Sequence, residues 1–129
     1  MIDAQCADFI AIPVRDRERA AKFYGETLGL ERNPNSTDTW IEFETGNVTL
    51  AFVGPEQAGQ PFVPLPFGTI ALRVPDVEAA KKKLQAEGIE FIGETWDSGV
   101  CNGAVFTDPD GNGLLLHRRY APYRDGSKP

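Results

Sequence analysis

One pattern of strand, helix cap and helix occurs twice in the chain, and it constrains the fold more than any other feature. The first copy is DFIAIPVRDRERAAKFYGETLGLE, residues 8–31, and the second is GTIALRVPDVEAAKKKLQAEGIEF, residues 68–91. In each copy apolar residues alternate as in a half-buried strand, and an Asp then precedes apolar residues at helical spacing. The two capping residues, Asp16 and Asp76, are sixty positions apart. Such a shared offset indicates two copies of one supersecondary unit.

Further strands are predicted after each helix. In the first half, TWIEFETGNVTLAFVG predicts two strands that turn at Gly46–Asn47, and in the second half IEFIGE precedes a hairpin that turns in DPDGN. Each half therefore has the order β-α-β-β-β, which gives an α+β fold. We expect modules at residues 7–54 and 67–120, joined by a linker rich in Pro and Gly at 55–66.

Composition excludes several classes of partner. No apolar run approaches the roughly 20 residues of a membrane helix, and the first residues, MIDAQCADF, do not resemble a signal peptide. Two cysteines are too few for a disulfide framework. The net charge of −6 argues against nucleic acid, which needs a basic surface. We expect a cytoplasmic protein that binds neither nucleic acid nor membrane.

Two sequence segments carry a resemblance to a known family. FYGETLGLE at the end of the first helix and FTDPDGNGLLL in the last hairpin, within paired βαβββ modules, resemble the vicinal oxygen chelate superfamily. That superfamily includes the glyoxalase I, bleomycin-resistance and extradiol dioxygenase families. The resemblance covers residues 8–120 and implies curved mixed sheets around a cleft, with the helices on the outside. It also implies a homodimer.

The resemblance further implies where a divalent metal would be held. Catalytic members use His or Glu from the first and last strands of each module, and the matching residues here are Phe9, Thr49, Thr69 and Leu115. None of these is a usual metal ligand, because divalent ions need imidazole, carboxylate or thiolate groups. We therefore expect neither a metal nor another cofactor. Catalysis that depends on a metal as Lewis acid or oxygen activator is not expected either.

Strand alternation predicts which side chains face the cleft rather than the helices. The same alternation directs Cys101 towards the helix layer. The predicted ligand-binding set combines apolar walls with polar anchors, a lining that suits a small, partly aromatic organic molecule. Its members are Phe9, Trp40, Thr49, Thr69, Arg73, Asn102, Phe106 and Leu115.

His117 is the only histidine, and two interpretations of it stay open. It is either a partly exposed residue near a strand end or a group that contacts the ligand and could act as a general base. The favoured function is metal-independent binding of a small molecule. The alternative is a lyase, isomerase or dioxygenase with a non-standard site, in which His117 and Glu42 are the catalytic residues.

Overall fold

The computed structural model describes all residues, Met1–Pro129, and divides into an N-terminal unit, Met1–Pro64, and a C-terminal unit, Leu65–Pro129. Each unit contains one four-stranded mixed sheet and one main helix. The predicted α+β class and the two βαβββ modules are confirmed. None of the helices has the length and apolar character needed to span a membrane.

The N-terminal unit forms its sheet in the order β1-β4-β3-β2, in which β1 is parallel to β4 and the other pairs are antiparallel. Helix α1 continues into a π-helical turn, and a short 3-10 helix follows the last strand. The elements are β1 (Phe9–Pro13), α1 (Arg17–Lys22), the π-helical turn (Phe23–Thr27), β2 (Glu31–Arg32), β3 (Glu42–Glu44), β4 (Thr49–Val53) and the 3-10 helix (Pro55–Ala58).

The C-terminal unit repeats this topology with the order β5-β8-β7-β6, and β5 is parallel to β8. Its β7 and β8 form the long hairpin that turns in DPDGN. The elements are β5 (Ile70–Arg73), α2 (Val77–Ala86), β6 (Ile92–Asp97), β7 (Cys101–Thr107) and β8 (Gly113–Arg119).

The local signals that repeat in the sequence also repeat in the structure. Asp16 and Asp76 each accept a hydrogen bond, at 3.0 Å, from the backbone N–H three residues later, which caps the helix. After each helix, Gly29 and Gly88 have φ values of +74° and +89°. Because a residue without Cβ enters this region at little steric cost, both helical segments end as predicted.

The core of each unit lies between the helix and one face of the sheet. In the N-terminal unit Tyr24 is fully buried, and its ring lies 5.3 Å from that of Phe52, which in turn lies 5.6 Å from Phe43. In the C-terminal unit Leu114 and Phe106 are completely buried beneath α2. We call the opposite side of each sheet, which carries no helix of its own unit, its open face.

The pairing of β7 with β8 corrects part of the predicted site. Gly103 lies opposite His117, whereas Phe106 lies opposite the core residue Leu114. Asn102 and Phe106 therefore lie on the helix side, and their prediction as residues of the His117 face is wrong. The prediction for Cys101 is wrong in the same way, because alternation from Gly103 puts it on the open face. A shift of one residue in the register of a strand exchanges its two faces. The sequence VCNGAVF has no regular alternation of polar and apolar residues from which the faces could be assigned.

The segment before β5 crosses the start of β8 in close contact. The side-chain carbonyl of Asn112 accepts a hydrogen bond from the Leu65 N–H at 2.8 Å, and the Gly113 N–H donates to the Leu65 carbonyl at 3.1 Å. A Cβ atom on Gly113 would lie 2.0 Å from the Pro66 carbonyl oxygen. The DPDGN turn therefore anchors the beginning of the C-terminal unit.

Candidate functional site

The four positions at which the family resemblance places metal ligands do not offer a suitable donor set. Phe9 and Thr49 are direct partners on the parallel strands β1 and β4, and the Thr49 hydroxyl lies 2.9 Å from the Glu44 carboxylate, to which it donates. The Thr69 hydroxyl donates to a backbone carbonyl at 2.6 Å, and Leu115 has only hydrocarbon to offer. A divalent ion needs imidazole, thiolate or carboxylate ligands, so these residues do not fit one.

Carboxylates beside these positions are engaged by other side chains. Glu44 accepts from the Asn33 amide at 3.0 Å in addition to the Thr49 hydroxyl. Glu42 accepts the indole N–H of Trp40 at 2.5 Å. Nowhere in the chain do three or more His, Cys, Asp or Glu residues come close enough together to hold a metal ion.

The N-terminal open face has an aromatic corner next to a floor of small residues. The rings of Phe9 and Trp40 meet edge to face with their centroids 5.4 Å apart, and these side chains remain 45% and 38% exposed. Ala11 and Ala51 lie opposite each other, and Glu42 lies opposite Ala51 on the next strand. Ala11 is exposed whereas Ala51 is fully buried, so the accessible part of this face lies at the rings of Phe9 and Trp40 and at Ala11.

The C-terminal open face has one row of side chains that crosses all four strands. Arg73 on β5 pairs with His117 on β8, His117 with Gly103 on β7, and Gly103 with Trp96 on β6. The Trp96 and His117 rings are 6.0 Å apart and inclined by 47°. Trp96 is absent from the predicted site; the available signal was a glycine in the middle of the neighbouring strand, which leaves space for a large side chain beside it.

The two predicted catalytic residues belong to different units. Glu42 lies in Met1–Pro64 and is held by the indole of Trp40, whereas His117 lies in Leu65–Pro129. The His117 imidazole is half-buried and makes no hydrogen bond. A general base is normally oriented by a partner group, and His117 has none within its own unit. Its observed contact is with the aromatic ring of Trp96.

A hydrogen bond fixes the end of β6 next to Trp96. The hydroxyl of Tyr120 donates to the Asp97 carboxylate at 2.7 Å, and the Gly99 N–H donates to it at 2.8 Å. The Gly99 N–H and then the Tyr120 hydroxyl lower the pKa of Asp97, and the bond to Asp97 raises the pKa of Tyr120. The ionised carboxylate therefore links the end of β6 to the residue after β8.

The C-terminal tail folds back on itself and on the end of β8. The Arg119 guanidinium donates to the carbonyls of Ala121 and Pro122 and lies over the ring of Tyr123. An open cavity of about 720 Å³ is lined by Tyr123, Arg124, Asp125 and Ser127, and it includes none of the predicted site residues. The members of the predicted ligand-binding set other than Asn102 and Phe106 lie on the open faces or next to them, and these faces are therefore the candidate site.

Sequence and structure comparisons assign the chain to a family. The sequence profile of the Glyoxalase/Bleomycin resistance protein/Dioxygenase superfamily matches residues 7–116, so the chain belongs to this superfamily. An uncharacterized protein of Mycolicibacterium smegmatis is 28% identical over 109 residues, which are 84% of this chain and 89% of that protein. The resemblance noted from FYGETLGLE and FTDPDGNGLLL is confirmed.

Two solved structures from Streptomyces sp. CB03234 show how similar the fold is. TnmS3, an antibiotic binding protein, has a TM-score of 0.74 and 25% identity, with 92% of this chain and 99% of that chain covered. A glyoxalase/bleomycin resistance protein has a TM-score of 0.69 and 29% identity, with 88% and 100% covered. An antibiotic binding protein thus has a fold similar to that of this chain over nearly its whole length.

Proposed function

We propose that this protein binds a small, partly aromatic organic molecule on the open faces of its sheets, without the help of a metal ion. The observation that carries the proposal is the partial exposure of large aromatic side chains there. Phe9, Trp40 and Trp96 remain 45%, 38% and 38% exposed, although the helix sides of the same sheets are buried. Exposed aromatic surface of this kind is typical of ligand sites.

The chemistry of the lining supports binding over acid–base catalysis. Glu42 is engaged by an indole N–H, and His117 has no hydrogen-bonded partner to orient it as a base. At the positions where catalytic members of the superfamily hold a metal, the chain has two hydrocarbon side chains and two hydroxyls. The similarity to TnmS3, whose function is antibiotic binding, supports the same general role for this chain.

A thermal-shift screen against a panel of planar aromatic compounds tests this function. A compound present at about 100 times its Kd stabilises the folded protein by about 2.7 kcal/mol, which raises Tm measurably. We expect Trp40→Ala to lower the affinity for the selected compound about three- to tenfold, because stacking on an aromatic ring is lost. Calorimetric titration would measure the change.

A matched control is available at Phe67, which is 69% exposed but lies in the segment before β5 rather than on an open face. Phe67→Ala should leave the affinity unchanged. If Phe9→Ala, Trp40→Ala and Trp96→Ala all bind the compound as tightly as the unaltered protein, the open faces are not the binding site. The homodimer and the cytoplasmic location stay predictions, which light scattering and fractionation of cells would test.

A further inference from the structure

Gly103 determines where the Trp96 indole lies. A Cβ atom at Gly103 would be 2.5 Å from Cζ2 and 2.7 Å from Cε2 of Trp96, both well inside van der Waals contact. The six-membered part of the indole therefore occupies the space that a side chain on β7 would fill. More than a third of the indole is still exposed, so it presents a flat aromatic surface beside the His117 imidazole. Any larger residue at position 103 would displace it.

Positive charge predominates on the C-terminal open face. Its strands carry Arg73 and Arg119 there, against one acidic residue, Glu94, which lies two positions before Trp96 on the edge strand β6. Arg119 is engaged by backbone carbonyls of the tail. Arg73 is exposed and forms neither a hydrogen bond nor an ion pair within the chain, so its guanidinium is available to a carboxylate.

The spacing of the side chains in this row sets the size of a ligand that can contact both Trp96 and Arg73. Neighbouring strands are about 4.8 Å apart, so Gly103 and Arg73 are about 10 Å apart across β8. His117 lies between them and can contact the ring edge or donate a hydrogen bond. A single benzene ring over the Trp96 indole would leave its substituent near His117. Two fused rings reach further across the sheet, so an acid group at their far end lies towards the flexible side chain of Arg73.

We infer that the row Arg73–His117–Gly103–Trp96 recognises a planar aromatic carboxylate, with the ring system on the Trp96 indole and the carboxylate at the Arg73 guanidinium. This inference rests on the proposed function and narrows its ligand class to aromatic acids. The N-terminal open face, whose paired positions include Glu31, Glu42 and Glu44 and no Lys or Arg, does not suit such an anion.

Two probes of nearly the same shape, one anionic and one neutral, test the assignment: naphthalene-2-carboxylate and naphthalene-2-carboxamide, titrated calorimetrically into the protein. We expect the carboxylate to bind at least about tenfold tighter than the amide, because hydrogen bonds to a charged acceptor are stronger than neutral ones. Arg73→Gln should reduce this ratio to about twofold or less and leave the amide affinity unchanged. Arg32→Gln removes another exposed arginine, which lies on β2, and this control should keep the ratio.

Variants at the aromatic end provide the second arm of the test. Trp96→Ala, which introduces no clash, should lower the affinity for both probes about three- to tenfold. Gly103→Ala should lower it by a similar factor, because the added Cβ displaces the indole. Circular dichroism would verify that both variants fold. Unchanged affinity in Trp96→Ala overturns the inference.

The outcomes also separate this inference from the proposed function. If both naphthalenes bind equally tightly, or if Arg73→Gln keeps the preference for the acid, recognition of a carboxylate is wrong while aromatic binding stands. If neither naphthalene binds, the inference is overturned, and the panel of aromatic compounds decides separately whether the proposed function holds.

Discussion

Asp97 is an exposed carboxylate whose two hydrogen bonds connect the edge strand β6 to the chain after β8. Because the Gly99 N–H and the Tyr120 hydroxyl bind the ionised form, the pKa of Asp97 is lower in the folded protein than in the unfolded chain. A carboxyl group with a lowered folded pKa contributes stability above its unfolded pKa. That contribution is lost as the pH falls through the lower, folded value.

Tyr120→Phe should therefore raise the pKa of Asp97 towards its ordinary value. It should remain below that value, because the Gly99 N–H still donates to the carboxylate. A carbon-13 NMR titration of the carboxyl group measures this directly. Tyr123→Phe removes a phenol hydroxyl that forms no hydrogen bond with Asp97, and it should leave the titration unchanged. An identical Asp97 pKa in Tyr120→Phe and the unaltered protein would contradict the observed bond.

At the scale of single elements, the sequence correctly predicts those helix and turn boundaries that depend on neighbouring residues. The capping residues Asp16 and Asp76, the helix stops and the hairpin at DPDGN depend on neighbours within a few positions, and they occur as predicted. The faces of β7 depend instead on pairing with distant strands. Its register is fixed by Phe106 in the core and by Gly103 beneath the indole, and neither contact is visible in the sequence of β7 alone.

The DPDGN turn is the element whose loss should damage the C-terminal unit most. Asn112 is fully buried; its amide donates to the Asp108 carboxylate at 2.8 Å and its carbonyl accepts the Leu65 N–H. Asn112→Ala removes these side-chain hydrogen bonds from a buried position, which costs about 2–4 kcal/mol. Urea denaturation should show a free energy of unfolding that is lower by this amount, together with a lower midpoint concentration of urea. Asn35→Ala, at an exposed position, should change the midpoint little.

At the scale of the whole molecule, one topology occurs twice with different chemistry on its open faces. The N-terminal open face carries glutamates near its aromatic corner, and the C-terminal one carries Arg73 and Arg119 on strands other than that of Trp96. The repeated strand–helix pattern predicts the shared topology, because both copies have the same periodicity. The repeat carries no prediction of the difference in charge between the faces, because the charged residues of the strands are not repeated from one copy to the other.

The proposed metal independence concerns the whole chain, and it leads to the last prediction. The family resemblance places metal ligands at Phe9, Thr49, Thr69 and Leu115, and no group of three or more His, Cys, Asp or Glu residues elsewhere could hold an ion instead. Protein purified without chelator should therefore contain less than about a tenth of an equivalent of Zn, Ni, Fe or Mn by elemental analysis. Since a bound ion stabilises only the folded state, dialysis against EDTA should leave both Tm and the affinity for the aromatic ligand unchanged. A stoichiometric metal, or a fall in Tm that added metal reverses, would mean that these residues or their neighbours bind an ion after all.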